Sequence, residues 1–400
     1  MVSRISFAAA EARSFERASI VLREVGDAAV SNDTIQRVVG DVGRELAKRC
    51  DADPKTADAL AQRPEAPPTM AIVECDGGRI RARQTGRGRG VHLAGEKGWR
   101  ETKNACLVNA LGKTFAHDPQ PEPPACFCDP KHVAKIAETE ALSVAAPPAV
   151  EPQEADAPHD DERREDWRPE RRVRTVLSSM RNSREFGRQM QREAKRRRFY
   201  EAVIKAFLGD GLSWNWSIWK ECFPDFIPIL DFIHPLSYLF LAAKTIHPQS
   251  AEDAWSQYLT WMRGCWQGEV AQVLDELGAW QAKLGPPPDG APDHDPRQVL
   301  ATTITYLENN RDRMNYPESR KAGLPVTTAW MESLVKEMNY RVKGTEMFWN
   351  DPDGAEAILQ VRAAVLSDDA RLARHLRQRS GSPFTRPPKA RKLTRKSCKS

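Results

Sequence analysis

The sequence predicts an α/β protein in which a mixed sheet is interrupted by helical insertions and preceded by a pair of helices. Three observations predict it. Short apolar runs, Met70 to Cys75, Lys205 to Leu208 and Phe226 to Leu230, each lead into an aspartate, as strands do when they reach a sheet edge. Between them lie stretches whose apolar residues recur three and four apart, the helical period. The chain of 400 residues, 40% hydrophobic, is long enough for a substantial core and two or three domains.

From the amino end, Ser14 to Leu46 reads as two helices with a short break. Ser14 caps the first, whose Ala18, Ile20, Val21, Leu22 and Val25 lead to Gly26; the second starts at Val30 to Thr34 and carries Ile35, Val38, Val39, Val42 and Leu46. The pair resembles a helix-turn-helix, which would set Asn32, Thr34, Gln36 and Arg37 against DNA bases; the commoner reading of such a pattern is a plain helical hairpin packed on the rest of the protein. Asp51 to Thr69 is a polar, proline-rich linker. Met70 to Asp76 is a strand, broken by Gly77-Gly78 and resumed over Arg79 to Arg83, the pattern of a hairpin. Thr85 to Gly98 is a glycine-rich basic loop, and Trp99 to Val108 supplies a third strand.

Pro130 to Leu142 is a helix, whereas Pro147 to Glu162 is acidic, proline-rich and too poor in apolar residues to hold a fold. Basic residues then crowd the interval from Arg163 to Arg198. It ends in a helix with Phe186 and Met190 inside and Arg188 and Arg192 outside, where guanidinium groups are either solvated or meet phosphates. Lys205 to Asp210, a helix from Trp214 to Phe223, Phe226 to Phe232 and a helix from Pro235 to Ala243 form a βαβ unit. Strand ends of such units are where α/β sheets bind ligands. One long helix over Ser250 to Leu284, a proline loop and a helix from Gln298 to Met314 read as an insertion.

The stretch Gly323 to Trp349 follows. Thr327 or Thr328 caps a helix whose Met331, Leu334, Val335, Met338 and Val342 make one buried face. Glu332 borders that face, Lys336, Arg341 and Lys343 follow it, and Gly344 is a stop. Asp351 to Leu366 is a last helix, and the basic, proline-containing end from Ser380 to Ser400 is expected to be disordered.

Bulk properties narrow the function. A net charge of +5 is too mild to imply a polyanion partner by itself, so the clustering of the basic residues matters more. The 8 cysteines include no C-x-x-C pair, which argues against structural zinc and for free thiols in a reducing cytosol. No secretory signal is visible, and the most apolar run, Phe226 to Ala243, contains Asp231, His234 and two prolines, unlike a membrane span.

Asp76 and Asp210 each sit beside glycines at a strand end, and Glu332 borders a buried helix face. Taken singly, each has an ordinary reading, a turn-forming aspartate or a solvated helix charge. His234 reads as a substrate contact or a satisfied core histidine, and the tryptophans of Ser250 to Leu284 as core.

The blocks Val73-Glu74-Cys75-Asp76-Gly77-Gly78-Arg79, Trp99 to Lys103, Phe207 to Trp216, Ile229 to His234 and Gly323 to Trp349, in this order, resemble bacterial insertion-sequence transposases of the ISKra type. The resemblance implies a ribonuclease H-like mixed-sheet core with an Asp-Asp-Glu triad: Asp76, Asp210 and Glu332. It implies two Mg2+ or Mn2+ ions held by the three carboxylates, DNA as partner, a homo-oligomer on DNA, no membrane, and a cytoplasmic, nucleoid-associated location. DNA contacts are expected from Asn32, Thr34, Gln36, Arg37, Arg188, Arg192, Lys336, Arg341 and Lys343. Such transposases often carry extra sequence before the paired helices, whereas this chain starts almost directly with them, which bears on end recognition. The expected organisation is a DNA-binding segment over 1–53, core parts over 69–146 and 185–247, a linker over 147–184, a helical insertion over 248–322, the glutamate-bearing helix and its successor over 323–366, and a tail over 380–400. Alternatives are an inactive or adopted DNA-binding protein and a nuclease on the same core that never joins strands.

Overall fold

Five strands and the helices that cover them make up the computed structural model, which describes residues 1–52, 66–83, 98–144, 167–343 and 348–379. The expected loop from Thr85 to Gly98 (but for Gly98), most of the Asp51 to Thr69 linker, the acidic segment over 147–162, the Gly344 stop and the tail over 380–400 lie outside these residues.

Helices α1 (Val2–Glu11), α2 (Phe15–Glu24) and α3 (Asn32–Asp51) come first. Strands β1 (Met70–Arg81) and β2 (Trp99–Leu111), helix α4 (Pro130–Val144), strand β3 (Glu170–Ser179) and helix α5 (Ser183–Arg196) follow. Next are β4 (Ile204–Gly209), α6 (Ser213–Cys222), β5 (Ile227–Leu230), α7 (Ile233–Ile246), α8 (Ala251–Trp266), α9 (Val270–Leu284), α10 (Pro296–Asn310) and α11 (Tyr316–Lys321). The chain closes with α12 (Ala329–Val342), α13 (Pro352–Leu366) and α14 (Arg371–Gln378).

The sheet order is β3-β2-β1-β4-β5. β1, β2 and β3 are antiparallel neighbours, whereas β4 lies parallel to β1 and β5 parallel to β4. Both faces are covered, as the apolar residues on both sides of the central strands require. Ala71, Val73, Cys75 and Phe207 pack with Phe186 and Met190 of α5 and Ile218 and Cys222 of α6. Ile72, Cys106, Val108 and Leu208 belong to the larger core on the other face, shared with Met331, Leu334 and Met338 of α12 and with α13 and α7. Truncating one of these buried α12 side chains to alanine costs about 2–5 kcal/mol.

Several elements depart from the sequence reading. Gly77 and Gly78 make no hairpin: they continue β1, paired with Lys103 and Thr102 of β2. A glycine pair inside a strand reads locally like a turn, and only the partner strand decides. The stretch expected to be linker up to residue 184 contains β3, whose alternating arginines disguise an edge strand. Its outer amides are capped by side chains: Arg174 donates to Asp368 Oδ2 at 2.8 Å, Val176 to Ser367 Oγ at 2.9 Å and Met180 to Glu356 Oε2 at 2.7 Å. Such capping blunts an otherwise open edge. The single helix expected from Ser250 to Leu284 is two, α8 and α9, separated at Gly268, where φ is +81°.

The amino-terminal helices are built into this body. Ser14 and Ser31 cap α2 and α3, accepting the Arg17 and Thr34 amides at 3.1 and 3.3 Å. Residues 25–31 between them form a longer link than a helix-turn-helix turn. α3 lies against α13 so closely that a Cβ on Gly43 would stand 2.3 Å from the Ala357 carbonyl oxygen. Among the described residues no helix is long and apolar enough to cross a membrane, and the described cysteines are free.

Candidate active site

The register of β1 and β4 brings two of the expected acids together. Cys75 pairs with Gly209 across these parallel strands, so the next residue along each is Asp76 and Asp210. Asp76 shares the side of β1 that carries Ile72 and Glu74, the face covered by α12. Both aspartates are half-buried. Burial first, then the Asp210 charge, raises the Asp76 carboxyl to about 7, while His234 acts in the opposite direction. Burial also raises Asp210, with His234 and the Leu212 amide opposing. Neither aspartate has a lysine or arginine ion-pair partner among the described residues.

The Asp210 loop is held on three sides. Its Oδ1 accepts the Leu212 amide at 2.9 Å and the side-chain amide of Asn215, a residue closed to solvent. Asn215 Oδ1 in turn accepts from Cys75 Sγ at 3.3 Å, which fixes the amide's orientation against β1. Tyr306 of α10 donates its hydroxyl to the Asp210 carbonyl at 3.0 Å, and its ring stacks on Tyr238 at 4.0 Å. Gly211 has φ of +97°, and a Cβ there would meet the Tyr306 hydroxyl at 2.7 Å, so only glycine fits between the loop and α10.

Glu332 stands at the edge of this cluster. Its helix packs on β1 and β2. Its side chain is 49% exposed and lies 3.8 Å from Lys336. Burial raises its carboxyl, Lys336 opposes, and Asp231 and His234, which also act on both aspartates, act on it too. The register thus places Asp76 and Asp210 side by side, whereas Glu332 is linked to them only through Asp231 and His234, and neither aspartate is among the charges that act on it. Among the described residues no three Asp, Glu, His or Cys side chains stand close enough together to hold a metal ion, so the expected three-carboxylate set is not assembled as a group of ligands.

Two further acids occupy the same neighbourhood. Asp231, at the end of β5, is 2% exposed and accepts the Ile233 amide at 3.1 Å and the Thr328 hydroxyl. His234 Nε2 lies 3.8 Å from it. Glu74, two residues before Asp76, is closed to solvent, and neither of its oxygens has a formed hydrogen bond among the described residues. Burial and then the Asp231 charge hold its carboxyl well above the usual range, against the Met331 amide. Thr328 starts α12 as expected, yet its hydroxyl caps nothing. It is diverted to Asp231, and a lost cap weakens a helix start by about 1 kcal/mol.

The expected DNA contacts divide. Asn32, Gln36, Arg37, Arg188, Lys336 and Lys343 are exposed. Thr34 is half-buried and bonded to Ser31 at 3.0 Å. Arg192 joins α5 to α3, donating to the Cys50 carbonyl at 2.7 Å with Asp51 at 3.5 Å. Arg341 is a correction: it is closed to solvent, donates to the Ala9 carbonyl at 2.6 Å and lies 4.8 Å from the Phe15 ring. The helical period turns it inward, beyond reach of a phosphate. Sequence reasoning missed Asn215, Tyr306, Thr328 and Glu74 as site residues; Asn215 and Tyr306 carry no local mark, since their roles arise from contacts distant in sequence.

No known protein-family model matches this chain, and no curated protein matches it. The chemistry therefore rests on the donor set. Adjacent carboxylates, one raising the other's hold on a proton and neither paired with a lysine or arginine among the described residues, are hard oxygen donors of the kind that fit Mg2+ or Mn2+.

Proposed function

We propose that this chain is a DNA transposase with a ribonuclease H-like core, cutting DNA and joining it to a target by metal-dependent phosphoryl transfer. The observation that carries the reading is the juxtaposition of Asp76 and Asp210 without a lysine or arginine partner among the described residues, under the helix that bears Glu332. Three antiparallel strands followed by two parallel ones, with the first aspartate on β1, support the core assignment.

Asp76 and Asp210 would hold the ions, and Glu332 would complete the set from the rim. When bound, the ions activate an attacking oxygen and stabilise the leaving one in an in-line displacement. Asn215 and Tyr306 keep Asp210 at one orientation, which such a displacement requires. His234 offsets part of the negative charge on both aspartates. Water would attack phosphorus at the element's end, breaking the P–O3′ bond and freeing a 3′ hydroxyl; that hydroxyl would attack a target phosphorus and displace the target strand's own 3′ oxygen, so no covalent protein intermediate is needed. The exposed Arg188, Lys336 and Lys343 give the DNA backbone cationic contacts. The protein acts as a homo-oligomer on DNA at the bacterial nucleoid.

The test uses labelled DNA carrying both ends of the parent element. Asp210→Ala is expected to bind it as the parent does and to lose Mg2+-dependent cleavage. Cleavage retained by that variant would refute the assignment. Cleavage by the parent without strand joining would identify a nuclease, and binding without metal-dependent cleavage a DNA-binding protein alone.

A further inference from the structure

Asp231 connects the two elements that carry the outer acids of the site. Its amide donates to the Gly209 carbonyl at 2.9 Å, one residue before Asp210. The next amide, of Phe232, donates to the Val326 carbonyl at 2.9 Å, in the segment leading to α12. The Asp231 carboxylate accepts the Thr328 hydroxyl on Oδ2 and the Ile233 amide on Oδ1 at 3.1 Å. The Thr328 carbonyl accepts the Glu332 amide at 2.9 Å, in the first turn of α12. A carboxylate closed to solvent with both oxygens engaged anchors other groups rather than ligating an ion itself.

We infer that Asp231 is a positioning residue: with Thr328 it latches the first turn of α12 to the sheet and sets where Glu332 stands relative to Asp76 and Asp210. The purpose of the latch rests on the transposase reading above; the latch itself is a matter of geometry. A threonine starting a helix ordinarily turns its hydroxyl to that helix's free amides. Here it points to Asp231, so the helix start is fastened to the sheet. Glu332 is otherwise half exposed, and its ion pair with Lys336 lies within α12, so that pair cannot fix its distance from β1.

The test compares the full chain with its Thr328→Val and Thr328→Ser variants. Valine removes the hydroxyl at nearly constant size, and serine keeps it. Amide hydrogen exchange over residues 329–333 reads the latch, and Mn2+ titration followed by electron paramagnetic resonance reads the site. Thr328→Val is expected to speed exchange in that turn and to raise the Mn2+ concentration for half-saturation about tenfold, with Thr328→Ser near the parent in both. Parent-like exchange in the Thr328→Val protein overturns the latch. Faster exchange with unchanged Mn2+ affinity overturns its role in setting the site. A parent that binds no Mn2+ refutes the metal-dependent reading, while the exchange rates still decide the latch.

Discussion

Two regions of the molecule are equally crowded with charge and follow opposite rules. Where β3, α5 and α14 meet, Glu193 and Asp369 are almost closed to solvent, and arginines surround them. Arg371 Nη2 lies 2.8 Å from Glu193 and 2.7 Å from Asp369, Arg197 pairs with both, and Arg196 pairs with Glu193. At the ends of β1 and β4, by contrast, Asp76 and Asp210 are half-buried together with no such partner among the described residues. The chain is rich in arginine, so a shortage of cations does not explain the difference. Charge compensated by arginines holds elements together; on the proposed reading, charge left without an arginine partner would be met by a cation from outside.

The comparison breaks most visibly if acids from the two regions are removed in turn. Asp369→Ala removes a buried carboxylate and leaves the half-buried Arg197 and Arg371 sharing Glu193 alone, a loss expected to cost about 3 kcal/mol. Urea unfolding reads it as a lower midpoint. Asp76→Asn removes a repulsion instead, so its metal-free midpoint at pH 8 should rise while Mg2+-dependent cleavage disappears. Destabilisation of similar size in both variants would show that the two clusters obey one rule.

The β4-α6-β5 unit and α12 were legible in the sequence because each is written locally, in apolar period and in glycine or proline at the ends. The same holds for the caps at Ser14 and Ser31. What was not legible is set by partners far along the chain. β3 alternates arginine with apolar residues and resembles a basic linker until β2 and α13 cover it. Gly77-Gly78 resembles a turn until β2 pairs with it. In the site, the two aspartates were visible as strand ends, but Asn215 lies in an aromatic run and Tyr306 in a helix that reads as insertion. Helix α1, before the first helix expected from Ser14, has no counterpart in the sequence reading: its run Phe7 to Ala10 is too short to show the helical period, and only packing against α2 and α3 reveals it.

Proton and metal should compete for the uncompensated region. The Asp76 carboxyl stands at about 7 in the folded chain against an ordinary 3.8. The folded protein therefore keeps a proton that the unfolded chain releases, so metal-free stability falls as pH rises between about 4 and 7. On the transposase reading, a divalent cation would replace that proton. Added Mg2+ should raise the melting temperature above pH 7 and have little effect near pH 5, as scanning calorimetry would show. An equal Mg2+ effect at both pH values would place the cation away from Asp76.

The smallest expected effect separates arginines that serve the fold from those free to serve a partner. Arg188 is exposed on α5, one turn before Arg192, which is tied to Asp51 and the Cys50 carbonyl. Arg188→Ala should leave the unfolding free energy within about 0.5 kcal/mol of the parent. It should also flatten the slope of log affinity for DNA against log salt by about 1, the signature of one lost phosphate contact. Arg341→Ala should do the reverse: lower stability through the lost bond to Ala9 and packing on Phe15, with the slope unchanged. Filter binding across a salt series decides it, because a slope that follows Arg341 rather than Arg188 would mean that burial is no guide to which cations meet DNA.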